Sequence, residues 1–157
     1  MKVLVECYPD WEVLHVLGIP KRQLLHVPSK GKIINRLKDL PGAVGMVDED
    51  PNSARSRDLD SYQESPGAEG LRLLTRRGSG GQRLIVLCPR LEEWLTQRAK
   101  SSGIKADDYG LPSDPDRLHS IPHYEQKDGF RRFLAELNDR DKGMSLLRRW
   151  VVQGENP

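Results

Sequence analysis

Three consecutive carboxylates are the residues of this chain whose types and spacing best suit chemistry. They are Asp48, Glu49 and Asp50, and they follow an apolar run at residues 43–47 that reads as a buried strand. Because side chains alternate along an extended chain, Asp48 and Asp50 are expected to point to one side. Two hard oxygen ligands on one side suit a divalent cation such as magnesium, and an acidic, solvated strand end is the alternative interpretation.

Another carboxylate stands in a matching position near the start of the chain. Glu6 directly follows the first apolar run, and Glu92 lies just past a later one. In an open parallel sheet, ligands bind beyond the carboxyl ends of the strands. If the first and third strands are neighbours, Glu6, Asp48 and Asp50 converge on one crevice, and Glu92 joins them from the side.

The elements that must position these carboxylates alternate along the chain. Apolar runs typical of strands lie at residues 3–5, 23–27, 43–47, 71–75 and 84–87. Helix-spaced apolar residues lie at 11–17, 33–40 and 91–99, and Asp10 stands where the N-cap of the first helix belongs. This alternation predicts parallel strands joined by right-handed crossovers. The predicted fold class is therefore α/β, a mostly parallel open sheet with helices on both faces, plus C-terminal helices.

The remaining segments complete the expected domain organisation. Residues 51–70 lack apolar periodicity and are predicted to be a functional loop with at most a short helical turn. A short helix is expected after Ser113, because the residues that follow it suit a first helical turn. We expect one domain over residues 1–157, with a core over 1–100, an irregular segment over 101–127 and C-terminal helices over 128–153.

Composition argues against several classes of protein. Charged residues make up 31% of the chain and hydrophobic ones 36%, and no apolar run approaches the roughly 20 residues of a membrane span. The first residues are expected to enter a strand and are too acidic for a signal peptide. Cys7 and Cys88 favour buried free thiols of a cytoplasmic protein over a disulfide framework. The net charge of +2 gives no global basic field, so nucleic-acid binding would depend on local patches.

Other catalytic motifs fail on their spacing. Lys32 is not the lysine of a phosphate-binding P-loop, because His26 stands where the first glycine of that motif belongs. His119 and His123 are four residues apart, but Pro122 between them spoils a helical zinc pair. No Ser or Cys sits in a nucleophile elbow. A nucleotide-binding doubly wound domain would need a glycine-rich first turn, which this chain lacks.

Short motifs between residues 2 and 99 resemble those of Toprim domains. The matching segments are Val5-Glu6-Cys7-Tyr8-Pro9-Asp10, Ser29-Lys30-Gly31-Lys32, Met46-Val47-Asp48-Glu49-Asp50 and Leu91-Glu92-Glu93-Trp94-Leu95. The first resembles a Toprim strand that ends in Glu, and the third resembles the Toprim Asp-x-Asp. The second is similar to a Gly-Lys of Toprim nucleases of the overcoming-lysogenization-defect type, and the fourth to a segment of small Toprim-like proteins. The chain departs from the pattern at Cys7 and Pro51, where many Toprim proteins have glycine.

The resemblance implies a Toprim-like fold and a role in DNA processing or phage defence. It implies that Glu6 acts as general base or acid, or as a metal ligand. Asp48 and Asp50 would be ligands of Mg²⁺ or Mn²⁺, and Lys32 would steady a phosphate.

Further candidates surround this proposed site. Asp10 and Glu92 are additional acidic candidates, although Glu92 also suits the first turn of a helix as a dipole partner. Several arginines are expected to form a basic rim that binds a phosphate backbone, and scattered surface arginines are the alternative interpretation. These arginines are Arg55, Arg57, Arg76, Arg77 and Arg83.

Two functions from different classes follow from these observations. The leading prediction is a cytoplasmic magnesium-dependent nuclease, or a related phosphodiester-processing enzyme, that acts on DNA or RNA. The alternative is a non-catalytic Toprim-like interaction module that works through a partner protein such as an ATPase. Catalysis requires carboxylate oxygens gathered within about 4–6 Å of a common point, since metal–ligand distances are about 2.0–2.6 Å.

Overall fold

The computed structural model describes residues 1–52 and 54–154 of the chain. The strands are β1 (Val3–Val5), β2 (Leu24–His26), β3 (Val44–Asp48), β4 (Tyr62–Ala68), β5 (Leu71–Arg76) and β6 (Arg83–Leu87). The α-helices are α1 (Tyr8–Val16), α2 (Lys30–Leu37), α3 (Leu91–Ser102), α4 (Pro115–His119), α5 (Asp128–Arg140) and α6 (Lys142–Val152). Short 3₁₀ turns lie at Lys21–Gln23, Arg57–Ser61, Ala106–Tyr109 and Tyr124–Gln126.

The strands form one open sheet in the order β2-β1-β3-β6-β5-β4. β1 pairs in parallel with both β2 and β3, and β3 pairs in parallel with β6. β5 and β4 extend the sheet in antiparallel fashion. The predicted α/β class with a mostly parallel open sheet is confirmed. The expectation that the first and third strands are neighbours is confirmed as well, since Val5 pairs with Met46.

Helices cover both faces of this sheet. The larger core lies between one face and helices α1, α3, α5 and α6, and it contains the fully buried rings of Trp94 and Phe133. The other face is covered by α2, which contributes Ile33, and by the 3₁₀ turn at Arg57–Ser61. Because neighbouring strand residues point to opposite faces, Val5 joins the first core and Leu4 the second. Both cores therefore anchor β1, the strand that leads into Glu6.

The predicted loop over residues 51–70 is wrong in its second half, where β4 forms an edge of the sheet. Most of its residues are exposed, so the strand lacks the apolar alternation by which a half-buried strand is recognised. An edge position also tolerates Pro66, which has no N–H to donate to a neighbouring strand. Glu69 and Gly70, with φ of 54° and 74°, make the tight turn into β5.

The helix starts also differ in part from the predictions. α1 begins at Tyr8 with Cys7 at its N-cap, so Asp10 lies within the first turn and does not cap the helix. This shift places Asp10 in the protein interior, where it is 2% exposed. The short helix expected after Ser113 is present as α4, and the side chain of Asp114 caps it.

The C-terminal helices are present as predicted. α5 and α6 bury their apolar residues in the larger core, against the face of the sheet that also carries α1 and α3. The segment before them contains α4 and two 3₁₀ turns and has no strand among its residues. Across the described ranges, none of the helices has the length and apolar character needed to cross a membrane.

Candidate active site

A cleft of about 400 Å³ opens beyond the carboxyl ends of the parallel strands. Glu6 follows β1 and Asp48 ends β3, and the two strands pair directly. The residues that line the cleft are Glu6, Lys30, Asp48, Asp50, Pro51, Pro89, Arg90, Glu93 and His119. The structure therefore brings together the three carboxylates, Glu6, Asp48 and Asp50, that the sequence motifs singled out.

Backbone hydrogen bonds hold one oxygen of each of two cleft carboxylates. The backbone N–H of Asp48 donates to Oε1 of Glu6 at 3.1 Å. The backbone N–H of Leu91, at the start of α3, donates to Oδ1 of Asp48 at 3.0 Å. Both bonds favour the charged form of the carboxyl group, and the N-terminus of α3 adds a positive field beside Asp48. The two side chains are thus oriented by fixed parts of the fold.

Alternation of side chains separates Glu49 from its two neighbours. Asp48 and Asp50 line the cleft, whereas Oε2 of Glu49 lies 3.3 Å from Nη1 of Arg72 on β5. Asp50 has a φ of 44°, in the left-handed region that Asp tolerates better than most residues. Its N–H donates to the carbonyl oxygen of Pro89 at 3.2 Å. The chain therefore turns just after β3 while it stays tied to the segment that follows β6.

Asp10 and Glu92 extend the acidic group into the interior. Asp10 is 2% exposed, and its Oδ1 has no hydrogen-bond partner among the described residues. Glu92 is 4% exposed, its Oε2 accepts a hydrogen bond from the Tyr124 hydroxyl, and its Oε1 lies 3.4 Å from Nδ1 of His119. Glu92 is therefore a buried, hydrogen-bonded group as well as a first-turn residue of α3. A buried oxygen without a donor, such as that of Asp10, is rare in folded proteins.

Burial and repulsion by neighbouring carboxylates raise the pKa values of Glu6, Asp10 and Asp48. The pKa of Asp48 rises from 3.8 to about 7, first because of burial and then because of the charges of Glu6 and Glu92. Burial and the charge of Asp48 likewise hold the pKa of Asp10 well above its usual value. The pKa of Glu6 is raised by burial, against the opposing effects of the Asp48 N–H and Lys30. We call Glu6, Asp10, Asp48 and Glu92 the carboxylate cluster. Its members repel one another, so a bound cation would stabilise their ionised forms.

The lysine beside the carboxylates is Lys30, not Lys32. Lys30 begins α2, lines the cleft and donates from Nζ to the carbonyl oxygen of Glu49 at 2.7 Å. Lys32 is exposed and does not line the cleft, and its backbone N–H donates to the Ser29 hydroxyl that caps the helix. Side chains two positions apart on a helix point in nearly opposite directions, since each residue adds about 100° of rotation. A phosphate in the cleft would therefore meet Lys30.

Arg90 and His119 also line the cleft. The sequence did not single out Arg90, and His119 was considered only as half of a zinc pair with His123. Arg90 donates to both carboxylate oxygens of Glu93, at 2.8 and 2.7 Å, and to Oδ1 of Asp116 at 2.8 Å. The spacing of Arg90 and Glu93 at a helix start is a signal that could have revealed this pair. His119 ends α4 and reaches Glu92 only because α4 packs on α3, and no local pattern reports that packing.

The arginines expected to rim the cleft lie in different places. Arg55 lines a neighbouring groove of about 400 Å³ that shares Lys30 with the cleft. Arg76 and Arg77 follow the antiparallel strand β5 to the end of the sheet where β6 begins, which is the end away from the cleft. Arg57 starts the 3₁₀ turn that leads to this same end. Arg83 also lies there. Arg55 therefore lies next to the cleft, since its groove also shares Asp50 and Pro51 with it. Arg76, Arg77 and Arg83 lie at the other end of the sheet, because the undetected strand β4 reverses the chain before β5.

The donor set of the cleft fits a hard cation such as Mg²⁺, since the acidic ligands offer only oxygen. Within residues 1–52 and 54–154, no group of three or more His, Cys, Asp or Glu side chains is arranged to hold a metal ion by itself. Mg²⁺ does not require such a cage, because it usually keeps several waters and uses one or two carboxylates plus substrate phosphates. The raised pKa of Asp48 shows that its ionised form is disfavoured without a counter-ion, and a bound cation would relieve this.

Neither cysteine is suited to act as a nucleophile. Cys7 and Cys88 are free thiols, as the sequence predicted. Each is only partly buried, whereas the sequence predicted that both would be buried. Burial and then the charge of Glu49 raise the pKa of Cys88 to about 11. Burial and the charge of Asp10 raise the pKa of Cys7 as well. Because the thiolate is the reactive form, both groups stay protonated and inert near neutral pH.

Comparison with known proteins identifies neither a family nor a function for this chain. No protein-family model matches the chain, and no curated protein or solved structure matches it. The Toprim resemblance therefore rests on the sequence motifs and stays a prediction. Function has to be argued from the cleft itself.

Proposed function

We propose that this protein is a magnesium-dependent enzyme that processes phosphodiester bonds, a nuclease of Toprim type. One observation carries the proposal: Glu6, Asp48 and Asp50 reach one cleft from two adjacent parallel strands, and Lys30 and Arg90 line the same cleft. Phosphoryl chemistry needs acidic ligands for a cation and separate cationic groups for the phosphate. Perturbed carboxyl pKa values in a cleft further support a functional site.

Each residue has a role that its position supports. Glu6, Asp48 and Asp50 would bind Mg²⁺ or Mn²⁺, with one or two of them as direct ligands and the rest through water. The bound metal would polarise phosphate oxygens and lower the pKa of water. Glu6 has one oxygen held by a backbone N–H, and its other oxygen would accept or return a proton. Burial raises the pKa of Glu6 above its usual value, which is the direction that favours proton transfer at neutral pH. Lys30 and Arg90 would neutralise the phosphate.

The proposed substrate is DNA or RNA, and the setting follows from the resemblance. Small Toprim-like proteins are linked to DNA processing and phage defence, so a protein partner such as an ATPase is part of the proposal. The protein would act in the cytoplasm, where the free thiols of Cys7 and Cys88 stay reduced.

Cleavage by the purified full-length chain tests this function. Supercoiled plasmid and a structured RNA are incubated with Mg²⁺, with Mn²⁺ and with a chelator, and at least one substrate should be cut only when metal is present. Glu6→Gln should lower the rate by about 100-fold or more, because positioned proton transfer typically contributes 10²–10⁴-fold. Asp48→Asn should abolish the response to metal. Glu136→Gln is the matched control, since Glu136 lies on α5 and pairs with Arg140 at the surface.

Two outcomes would contradict the proposal. Cleavage that persists at full rate in both Glu6→Gln and Asp48→Asn would assign the activity to a contaminant or to another site. Absence of cleavage with either metal, together with a melting temperature that Mg²⁺ does not change, would favour the non-catalytic interaction module.

A further inference from the structure

An exposed aromatic stack lies beside the acidic cleft. Tyr8, the first residue of α1, is 52% exposed, and its ring centroid lies 4.3 Å from that of His26 with 23° between the ring planes. In the part of the chain that the structure describes, the other large hydrophobic side chains with comparable exposure are Met1 and Val152. The Tyr8 ring is therefore covered by His26 on one side and remains accessible to a flat ligand.

Backbone contacts tie this stack to the cleft. Nε2 of His26 lies 3.1 Å from the carbonyl oxygen of Glu6, and His26 pairs with Val5 in the sheet. Glu6 thus directs its side chain into the cleft while its carbonyl oxygen contacts the imidazole. Tyr8 follows Glu6 by two residues, so the distance from the aromatic stack to the cleft is set by the fold.

A second groove of about 380 Å³ lies beside the stack and borders the cleft at His119. Tyr8, His26, Ile121 and Pro122 are among the residues that line it, and His119 lines both this groove and the acidic cleft. The groove therefore offers ring faces and apolar surface. The cleft on the other side of His119 offers the cationic side chains Lys30 and Arg90 together with its carboxylates. A nucleic acid strand needs both kinds of surface, since its bases stack on aromatic rings and its phosphates bind cationic side chains.

We propose that the Tyr8–His26 stack is a base-stacking platform for single-stranded nucleic acid, and that the strand runs from this platform into the acidic cleft. This inference rests on the proposed function. Stacking on aromatic rings is a sequence-tolerant way to bind a single strand, because every base has a flat π-face. A base in a duplex is already stacked between its neighbours, so only an unpaired base can cover the ring. Lys30 and Arg90 would bind the phosphates that follow.

Equilibrium binding of labelled oligonucleotides tests the platform. The protein is titrated in Ca²⁺, a hard cation for the same oxygen ligands, with oligo(dT), with oligo(rU), with an abasic strand of equal length and with a duplex. The base-containing single strands should bind about 5-fold or more tightly than the abasic strand, which carries the same phosphate charge. Comparison of oligo(dT) with oligo(rU) shows whether the platform prefers DNA or RNA.

Substitutions at Tyr8 separate stacking from general binding. Tyr8→Ala should remove most of the difference between base-containing and abasic strands, and Tyr8→Leu should do the same because it keeps apolar area without a ring. Tyr8→Phe should retain the difference. Val152→Ala is the control for loss of an exposed apolar side chain elsewhere. Thermal unfolding of each variant verifies that it is folded.

Several results would overturn the platform. These are equal affinity of the wild-type protein for base-containing and abasic strands, tighter binding of duplex than of single strands, or no effect of Tyr8→Ala and Tyr8→Leu on oligo(dT) binding. The two proposals fail separately. Loss of metal-dependent cleavage contradicts the proposed function, whereas the platform is judged only by the affinity difference that the bases provide.

Discussion

Two clusters of charged side chains in the described part of the chain, each with buried members, are built in opposite ways. The carboxylate cluster gathers like charges at the carboxyl ends of the parallel strands. A second cluster, which we call the Arg98 network, gathers opposite charges where α3 meets the β4–β5 turn and the junction of α5 with α6. It consists of Arg98, Glu69 and Asp141.

Most polar atoms of the Arg98 network have hydrogen-bond or ion-pair partners within the chain. Nη1 of Arg98 contacts Oε2 of Glu69 and lies 3.5 Å from Oδ1 of Asp141. Asp141 also accepts hydrogen bonds from the Ser102 hydroxyl and the Met144 N–H, each at 2.9 Å. Arg98 keeps one unpartnered atom, Nε, but its charge has two acidic neighbours.

The difference between the clusters indicates what each is for. In the Arg98 network a buried guanidinium lies between two carboxylates, so each acid has a cation within the chain. Loss of that cation would leave a buried carboxylate uncompensated. In the carboxylate cluster, Arg90 and His119 lie 3.5 and 3.4 Å from Oε1 of Glu92. Even so, burial and repulsion raise the pKa values of Glu6, Asp10 and Asp48. Natural proteins tolerate such an arrangement mainly at functional sites, where a ligand supplies the missing charge.

The largest effect on stability is expected when the Arg98 network is broken. Arg98→Met keeps much of the side-chain volume but leaves Asp141 buried without its cation, so the free energy of unfolding should fall by about 3–5 kcal/mol. Denaturant unfolding measures this loss. Arg55→Met is the matched control, because Arg55 forms an exposed ion pair with Asp60, and it should change stability by no more than about 1 kcal/mol. Similar losses in both variants would mean that the Arg98 network has no special role.

Removal of a charge from the carboxylate cluster, in contrast, should stabilise the folded protein when no metal is bound. The folded protein holds the proton of Asp48 more tightly than the unfolded chain, because the pKa rises from 3.8 to about 7. In chelator, the stability that this proton contributes is therefore present below about pH 4 and is lost as the pH rises through about 7. The loss amounts to at most about 4 kcal/mol for this one group.

Asp48→Asn should remove this part of the pH dependence, since an amide does not ionise and its oxygen still accepts from the Leu91 N–H. Unfolding measured at pH 5 and pH 8 in chelator should show a smaller decline for the variant than for the wild-type protein. Addition of Mg²⁺ at pH 8 should stabilise only the wild-type protein. Parallel pH profiles, or an equal response of both proteins to Mg²⁺, would show that Asp48 does not contribute to a cation site.

The smallest expected effect compares two lysines of one helix. Lys30→Ala should raise KM for the nucleic acid about 5-fold while kcat changes little, because Lys30 lines the cleft and would contact phosphate in the ground state. Lys32→Ala should leave both values nearly unchanged, since Lys32 points away from the cleft. Steady-state kinetics of the two variants measures the difference. A larger effect of Lys32→Ala than of Lys30→Ala would reverse the assignment.

The sequence by itself determined the parallel core of the protein and the acidic residues that meet there. The alternation of apolar runs with helix-spaced residues is a local signal, and it predicted that the strands before Glu6 and Asp48 are neighbours. Asp48 and Asp50 line the cleft and Glu49 does not, as alternation predicted, although Asp50 reaches the cleft from a left-handed backbone beyond the strand. Each strand and helix is recognised from residues within a few positions of one another, and the general rules for parallel strands joined by crossovers then predict which strands are neighbours.

Only the tertiary structure decided which other charged groups lie near those acids and which do not. The edge strand β4 has too few buried residues to leave an apolar pattern, and without it the positions of Arg76 and Arg77 could not be placed. The burial of Asp10 depends on how α1 packs, and the approach of His119 to Glu92 depends on how α4 packs on α3. Charge interactions act through space and weaken with distance, so they follow from the packing of distant segments and not from spacing along the chain.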